Sequence, residues 1–300
     1  MKAITYHRGL KCFDSCLVYA LEEIGVPYPA VFSKSIGFVW DERESLLGRR
    51  IQYDPDVEGL ASGFGLWERG GTVGFDEIDL TAGFCLLRMD AYCCPWHRCF
   101  QTVHTDHYCL LTAHDEAGFV CIDPMMSSQP EPLPDDLAAA GYLDAWKPNV
   151  LVQPHEAVRN AAIHTAAGHL KQQRCILPSW MEAYHAGCLS ADISLEFSGL
   201  ETGSYEVPLY RSLWHLSSGH ELFASFLLCM YGKRSDRAVR MLTDIGRRWE
   251  QYRKTAARDY LASRKTKKYA ALSAPSRELF ADEADCLDEC CELIEGAPAI

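Results

Sequence analysis

No run of about 18 consecutive apolar residues occurs in this 300-residue chain, which excludes a helical membrane span. The stretch Met1–Arg8 lacks the apolar centre of a signal peptide, so no secretory signal is expected. There is no Gly-x-Gly-x-x-Gly and no P-loop lysine. Gly63-Phe64-Gly65 and Gly70-Gly71 mark turns, and no phosphate cradle is expected. Internal repeats and long heptad runs are also missing. Cysteine, by contrast, is plentiful: there are 14, an even number. A disulfide scaffold is nonetheless excluded, because a chain of this length with 48% apolar residues can bury a full core. Reduced thiols in a cytoplasm are expected, most of them buried as small hydrophobes.

The net charge of −12 is unevenly spread. Residues 233–268 hold 13 Lys/Arg against four Asp/Glu, a segment of +9 that leaves −21 on the remainder. Two readings stand side by side: a solvated helix face, or a docking surface for an acidic partner centred on Arg247, Arg248, Arg253 and Lys254. Nucleic acid is not an expected partner. Trp249, Tyr252 and Tyr260 are the segment's few stacking platforms, and the remaining negative charge repels phosphates.

The pattern along the chain predicts an α+β first half and a helical second half, with domains at 1–150 and 151–300. A helix follows Lys11, with apolar residues at Phe13, Cys16, Leu17, Ala20, Leu21 and Ile24 and a stop at Gly25 and Pro27. Strands are predicted at Phe84–Met89, His107–Ala113 and Phe119–Ile122. The last two form a hairpin around Asp115–Gly118, and Pro124 ends the third. Residues 127–136 read as a linker. Helices are predicted near 155–173, 178–187, 209–231, 235–265 and 275–295, with Pro154, Pro208 and Pro275 at their starts and a kink at Ser217–His220.

Cys12 falls at the N-terminus of the first helix, where unpaired N–H groups and the helix dipole favour a thiolate. Cys16, one turn on, lies on the apolar face. A thiolate nucleophile needs a base, and the base needs an orienter. His107 opens a strand and Asp123 closes the next, so two adjacent strand ends can pair them beside Cys12. That order is the arrangement of papain-like cysteine enzymes. His104 is the rival base, in a loop, and His97 and His114 are expected at the surface. The stretch Cys93-Cys94-x-x-His97-x-Cys99-x4-His104 does not have zinc-ligand spacing, and no metal is expected. Cys286, Cys290 and Cys291 read as helix core.

Residues 9–40 and 86–124 resemble the N-terminal domain of the butirosin biosynthesis protein H family. The matching pieces are Cys12 with its helix, Asp90-Ala91-Tyr92-Cys93-Cys94-Pro95-Trp96, His107-Tyr108-Cys109-Leu110-Leu111 and Val120-Cys121-Ile122-Asp123-Pro124. The resemblance implies a papain-like catalytic half followed by a mostly helical half that contributes to the cleft. It implies a cofactor-free acyltransferase of specialised-metabolite assembly, moving an acyl or aminoacyl group from a carrier-protein thioester to a small-molecule amine. It carries Cys12, His107 and Asp123 over as nucleophile, base and orienter, and Asp90 and Tyr92 as pocket residues without an assigned role. The expected partner of the basic segment is then an acidic acyl carrier protein. Two features depart from the pattern: Lys11 precedes the nucleophile where His is common, and the upstream Gln of papain-like oxyanion holes is absent. The Cys12 N–H is one oxyanion candidate, with His7 or Tyr6 as the other. The alternative from the hydrolase class is a cysteine peptidase or thioesterase that releases the acyl group to water.

Overall fold

The computed structural model describes residues 4–81, 83–147, 149–200, 207–262 and 270–296. Its main elements in chain order are α1 (Cys12–Glu23), β1 (Cys85–Asp90), β2 (Asp106–Asp115), β3 (Gly118–Ile122), β4 (Glu131–Leu133), α2 (Asp135–Gly141) and β5 (Tyr142–Trp146). The long helices α3 (His155–Ser190), α4 (Pro208–Tyr231), α5 (Asp236–Ala262) and α6 (Ala270–Glu295) follow. The fold is mixed α+β with a helical C-terminal half. The chain divides into two compact units. One comprises Met1–Tyr28 and Val57–Val158, the other Pro29–Asp56 and Arg159–Ile300.

In the first unit, five strands form an antiparallel sheet in the order β4-β3-β2-β1-β5. Alternation along the strands gives the sheet two apolar faces. Cys85, Leu87, Met89, Cys109, Leu111, Cys121 and Leu133 pack on one. Leu86, Leu110, Ile122 and Trp146 pack on the other, against Cys16, Tyr19 and Ala20 of α1. The helix ends in a Schellman motif: Gly25 N–H donates to Glu22 O (3.0 Å) and Val26 N–H to Leu21 O (3.1 Å). Gly25 takes φ +77° there, a conformation that costs little without a Cβ. All 14 cysteines are free thiols, and nine of them are buried.

The expected division at 150/151 differs from the observed one in a specific way. Residues 29–56 belong with the helical unit, and the second crossing lies inside the first turn of α3. Close polar contacts hold the excursion. Ser35 Oγ–H donates to Gly219 O (3.2 Å), and His169 Nε2–H donates to Ile36 O (2.7 Å). The Glu196 carboxylate accepts from the N–H groups of Leu47 and Gly48, and the Phe38 ring stacks on Trp180 at 4.1 Å. A short-range reading of the sequence cannot see such pairings, because each joins residues more than 100 positions apart.

The helical unit also differs in detail. Residues 155–173 and 178–187 form one helix, α3, with Pro178 inside it, and Pro275 lies inside α6. Ser217–His220 does not interrupt α4. A Cβ on Gly219 would sit 2.2 Å from Ser35 O, so this glycine admits the neighbouring backbone. His220 is buried at the meeting of three helices. Its Nδ1–H donates to Leu216 O (2.7 Å), and its Nε2–H donates to the Glu283 carboxylate on α6 (2.9 Å). Trp249 Nε1–H on α5 donates to the same carboxylate (3.1 Å). Among the described residues, no helix is long and apolar enough to cross a membrane. The linker-like residues 127–136 contain β4 and the first residues of α2.

Candidate active site

Cys12 is the first residue of α1, and its backbone N–H has no carbonyl one turn back to bond. Its side chain is partly exposed and lies near enough to His107 to raise the pKa of that imidazole. His107 is the second residue of β2, and Asp123 follows β3 directly. His107 Nε2–H donates to Asp123 Oδ2 at 2.6 Å, so Nδ1 is the nitrogen left for Cys12. His107 is 2% exposed and Asp123 0%.

Four donors converge on the Asp123 carboxylate. Oδ2 accepts from His107 and from Trp96 Nε1–H (2.8 Å), and Oδ1 accepts from the N–H groups of Met125 (3.2 Å) and Met126 (3.1 Å). Burial alone would raise this carboxyl, but the His107, Trp96 and Met126 contacts outweigh it and hold Asp123 below the usual carboxylate range. Burial likewise pulls His107 down. The hydrogen bonds to Asp123 and Cys12 and their negative charge reverse this and push His107 up to about 9. The imidazole therefore keeps its proton at neutral pH, held between Asp123 and Cys12. Cys16 is different: it is fully buried, its thiol donates to Tyr108 O (3.5 Å), and burial pushes it well above an ordinary thiol.

Trp96 and His97 are the residues that sequence reasoning did not place. Trp96 belongs to the Asp90–Trp96 stretch, which carried no role. His97, expected at the surface, is instead 7% exposed, with its ring 4.6 Å from that of His107. The loop that carries both is folded on itself: His97 N–H donates to Cys94 O, Phe100 N–H to His97 O and Gln101 N–H to Tyr92 O. No spacing rule announces such an irregular segment.

The structure brings Cys12, His107 and Asp123 together and places the other candidates elsewhere. Asp90 caps a short 3₁₀ turn through Tyr92 N–H (3.0 Å) and accepts from His104 Nδ1–H (2.6 Å). The Tyr92 ring lies flat against exposed His104 at 4.3 Å. His104 is thus engaged by Asp90, and His97 and His104 point to different partners rather than to one metal. His114 is exposed and bonded to Asp135 (2.9 Å). Tyr6 is 49% exposed, and His7 is partly buried with its ring 5.4 Å from that of Tyr28. Burial lowers the His7 pKa.

The cationic set on α5 is engaged within the chain. Arg247 pairs with Asp244 (2.9 Å), Arg248 with Asp282 and Lys254 with Glu250 (3.3 Å). Arg253 corrects the sequence reading. It is 8% exposed, gripped by Glu250 through two hydrogen bonds (2.6 and 2.8 Å) and stacked over Tyr210 at 4.0 Å, so it offers no charge to a partner. Arg264, Lys265, Lys267 and Lys268 lie outside the described residues. No protein-family model and no curated protein matches this chain.

Proposed function

We propose that this protein is a cysteine-dependent acyltransferase with a papain-like catalytic half, in which Cys12 takes an acyl or aminoacyl group from a thioester and passes it to an amine. The supporting observation is a helix-starting cysteine beside an imidazole whose far nitrogen is held by a buried, four-donor carboxylate. In the reaction, Cys12 Sγ attacks the thioester carbonyl, and its proton resides on His107. The Cys12 N–H at the start of α1 faces the developing oxyanion. Collapse breaks the bond to the donor sulfur, which leaves with the His107 proton, and Cys12 is acylated. The amine then attacks the acyl carbon and gives a proton to His107, and the C–S bond to Cys12 breaks. Asp123 stabilises the imidazolium before loading and again when the amine attacks, and fixes the ring plane throughout. The chemistry requires no cofactor. The resemblance to the butirosin biosynthesis protein H family favours amine over water as acceptor and a carrier protein as the bearer of the donor thioester.

Intact-mass measurement after incubation with an acyl N-acetylcysteamine thioester, and with an acylated carrier protein, tests the reading. The expected result is a single acyl adduct, absent in Cys12→Ala and discharged as an amide when an amine is added. Equal loading of Cys12→Ala and wild type would overturn the assignment. Free acid as the product under saturating amine would move the protein to the thioesterase class.

A further inference from the structure

A second imidazole lies on the first, and its protonation state is fixed by geometry. His97 Nδ1 accepts the Cys99 backbone N–H at 3.1 Å, so that nitrogen holds a lone pair and the proton sits on Nε2. The ring is 7% exposed and tilted 47° against His107, with centroids 4.6 Å apart. Adding a second proton would set a donor against the Cys99 N–H and two cations against each other in a dry setting. The charged or titratable groups around His97 are His107 on β2, Asp123 after β3, and Cys94, Arg98 and Cys99 of its own loop. Asp123 is the only anion among them, and its oxygens are taken by His107, Trp96 and two backbone N–H groups.

We propose that His97 is a positioning residue of the Cys12–His107 site: as a neutral imidazole it roofs His107 and holds its plane toward Cys12, and its protonation ends reactivity on the acid side. Trp96 and His97 are adjacent in sequence, so one loop braces both Asp123, through the Trp96 N–H, and His107, through the His97 ring. Burial first, then the charge on His107, lowers the His97 pKa to about 4. A cationic His97 would repel the His107 imidazolium and weaken its hold on the Cys12 sulfur. The inference rests on the proposed Cys12–His107 chemistry.

The test uses iodoacetamide rather than a substrate. The rate of Cys12 alkylation, read by peptide mass spectrometry, is followed from pH 3.5 to 9 in the full-length wild type and in His97→Phe, His97→Gln, His97→Ala and His107→Ala. Phe keeps the ring and loses titration, and Gln keeps an acceptor for Cys99. With His97 half-protonated near pH 4, Phe and Gln should react about twofold faster than wild type at pH 4 and about fourfold faster at pH 3.5. Ala, which removes the roof, should be slower at every pH. Wild-type and Phe profiles that superimpose on the acid limb would overturn the inference. The Cys12–His107 reading itself fails on a different observation: if His107→Ala alkylates at the wild-type rate throughout, the pair does not act together.

Discussion

His107 should make the stability of the sheet unit fall as the solution becomes alkaline. Its pKa is raised from 6.5 to about 9 in the folded chain, so the native state binds this proton more tightly than the unfolded state does. The contribution is complete below 6.5, declines as pH rises toward 9, and is gone above it. At about 1.4 kcal/mol per pH unit, a window of roughly 2.5 units corresponds to about 3 kcal/mol. Cys109 and Cys121, both 0% exposed on neighbouring strands, report opening of this sheet alone. A short pulse with a methanethiosulfonate across a urea series, analysed by peptide mass, gives the unfolding free energy at those thiols. Wild type should exceed His107→Gln by about 3 kcal/mol at pH 6 and by less than about 0.5 kcal/mol at pH 9.5. A difference that stays constant between the two pH values would show that no proton is held between Asp123 and Cys12, and the reasoning would fail.

Cys16→Ala should cost roughly 1 kcal/mol in urea denaturation and leave acyl loading within about twofold, since it vacates only a small apolar space. Trp96→Phe removes one hydrogen bond to a buried carboxylate, about 1.5–3 kcal/mol, and should slow single-turnover loading about tenfold without raising KM; an unchanged loading rate would sink the bracing role. Arg253→Ala should destabilise by about 2 kcal/mol because the buried guanidinium packed over Tyr210 and bonded to Glu250 is lost, whereas Arg247→Ala should stay within about 0.5 kcal/mol, both read from urea midpoints. Reversing Arg247, Arg248 and Lys254 to Glu should raise KM for a carrier-bound donor at low salt and spare a small thioester. The effect should fade as ionic strength shortens screening to about 8 Å, and equal use of both donors by the variant would show that α5 is only a solvated face.

The sequence revealed what local periodicity and end signals encode. The apolar recurrence from Phe13 to Ile24 with Gly25 behind it predicts α1, and the structure ends that helix at the same glycine. Alternation and the Asp115–Gly118 turn predict the β2–β3 hairpin, and that hairpin puts His107 and Asp123 at neighbouring ends. What escaped notice depends on contacts between distant residues. Pro178 and Ser217–His220 look like breaks, yet tertiary packing overrides their local cost. Residues 29–56 join the helices through Ser35, Ile36 and Gly48, none of which carries a distinctive signal. Charge counting likewise treated Arg253 as one more surface cation, because composition does not say which face of α5 turns inward.

The chain contains the same trio of groups twice. In the sheet unit an imidazole, a carboxylate and an indole N–H meet as His107, Asp123 and Trp96; in the helical unit they meet as His220, Glu283 and Trp249. The kinds of group and their burial do not distinguish them. The remaining imidazole nitrogen does. In His220 it is spent on the Leu216 carbonyl, an acceptor that can neither take a proton nor leave, so the trio acts as an inert rivet between three helices. In His107 it meets a thiol that can do both. A search for reactive centres in uncharacterised folds would therefore gain more from asking where the second nitrogen of each buried histidine points than from counting the groups around the first.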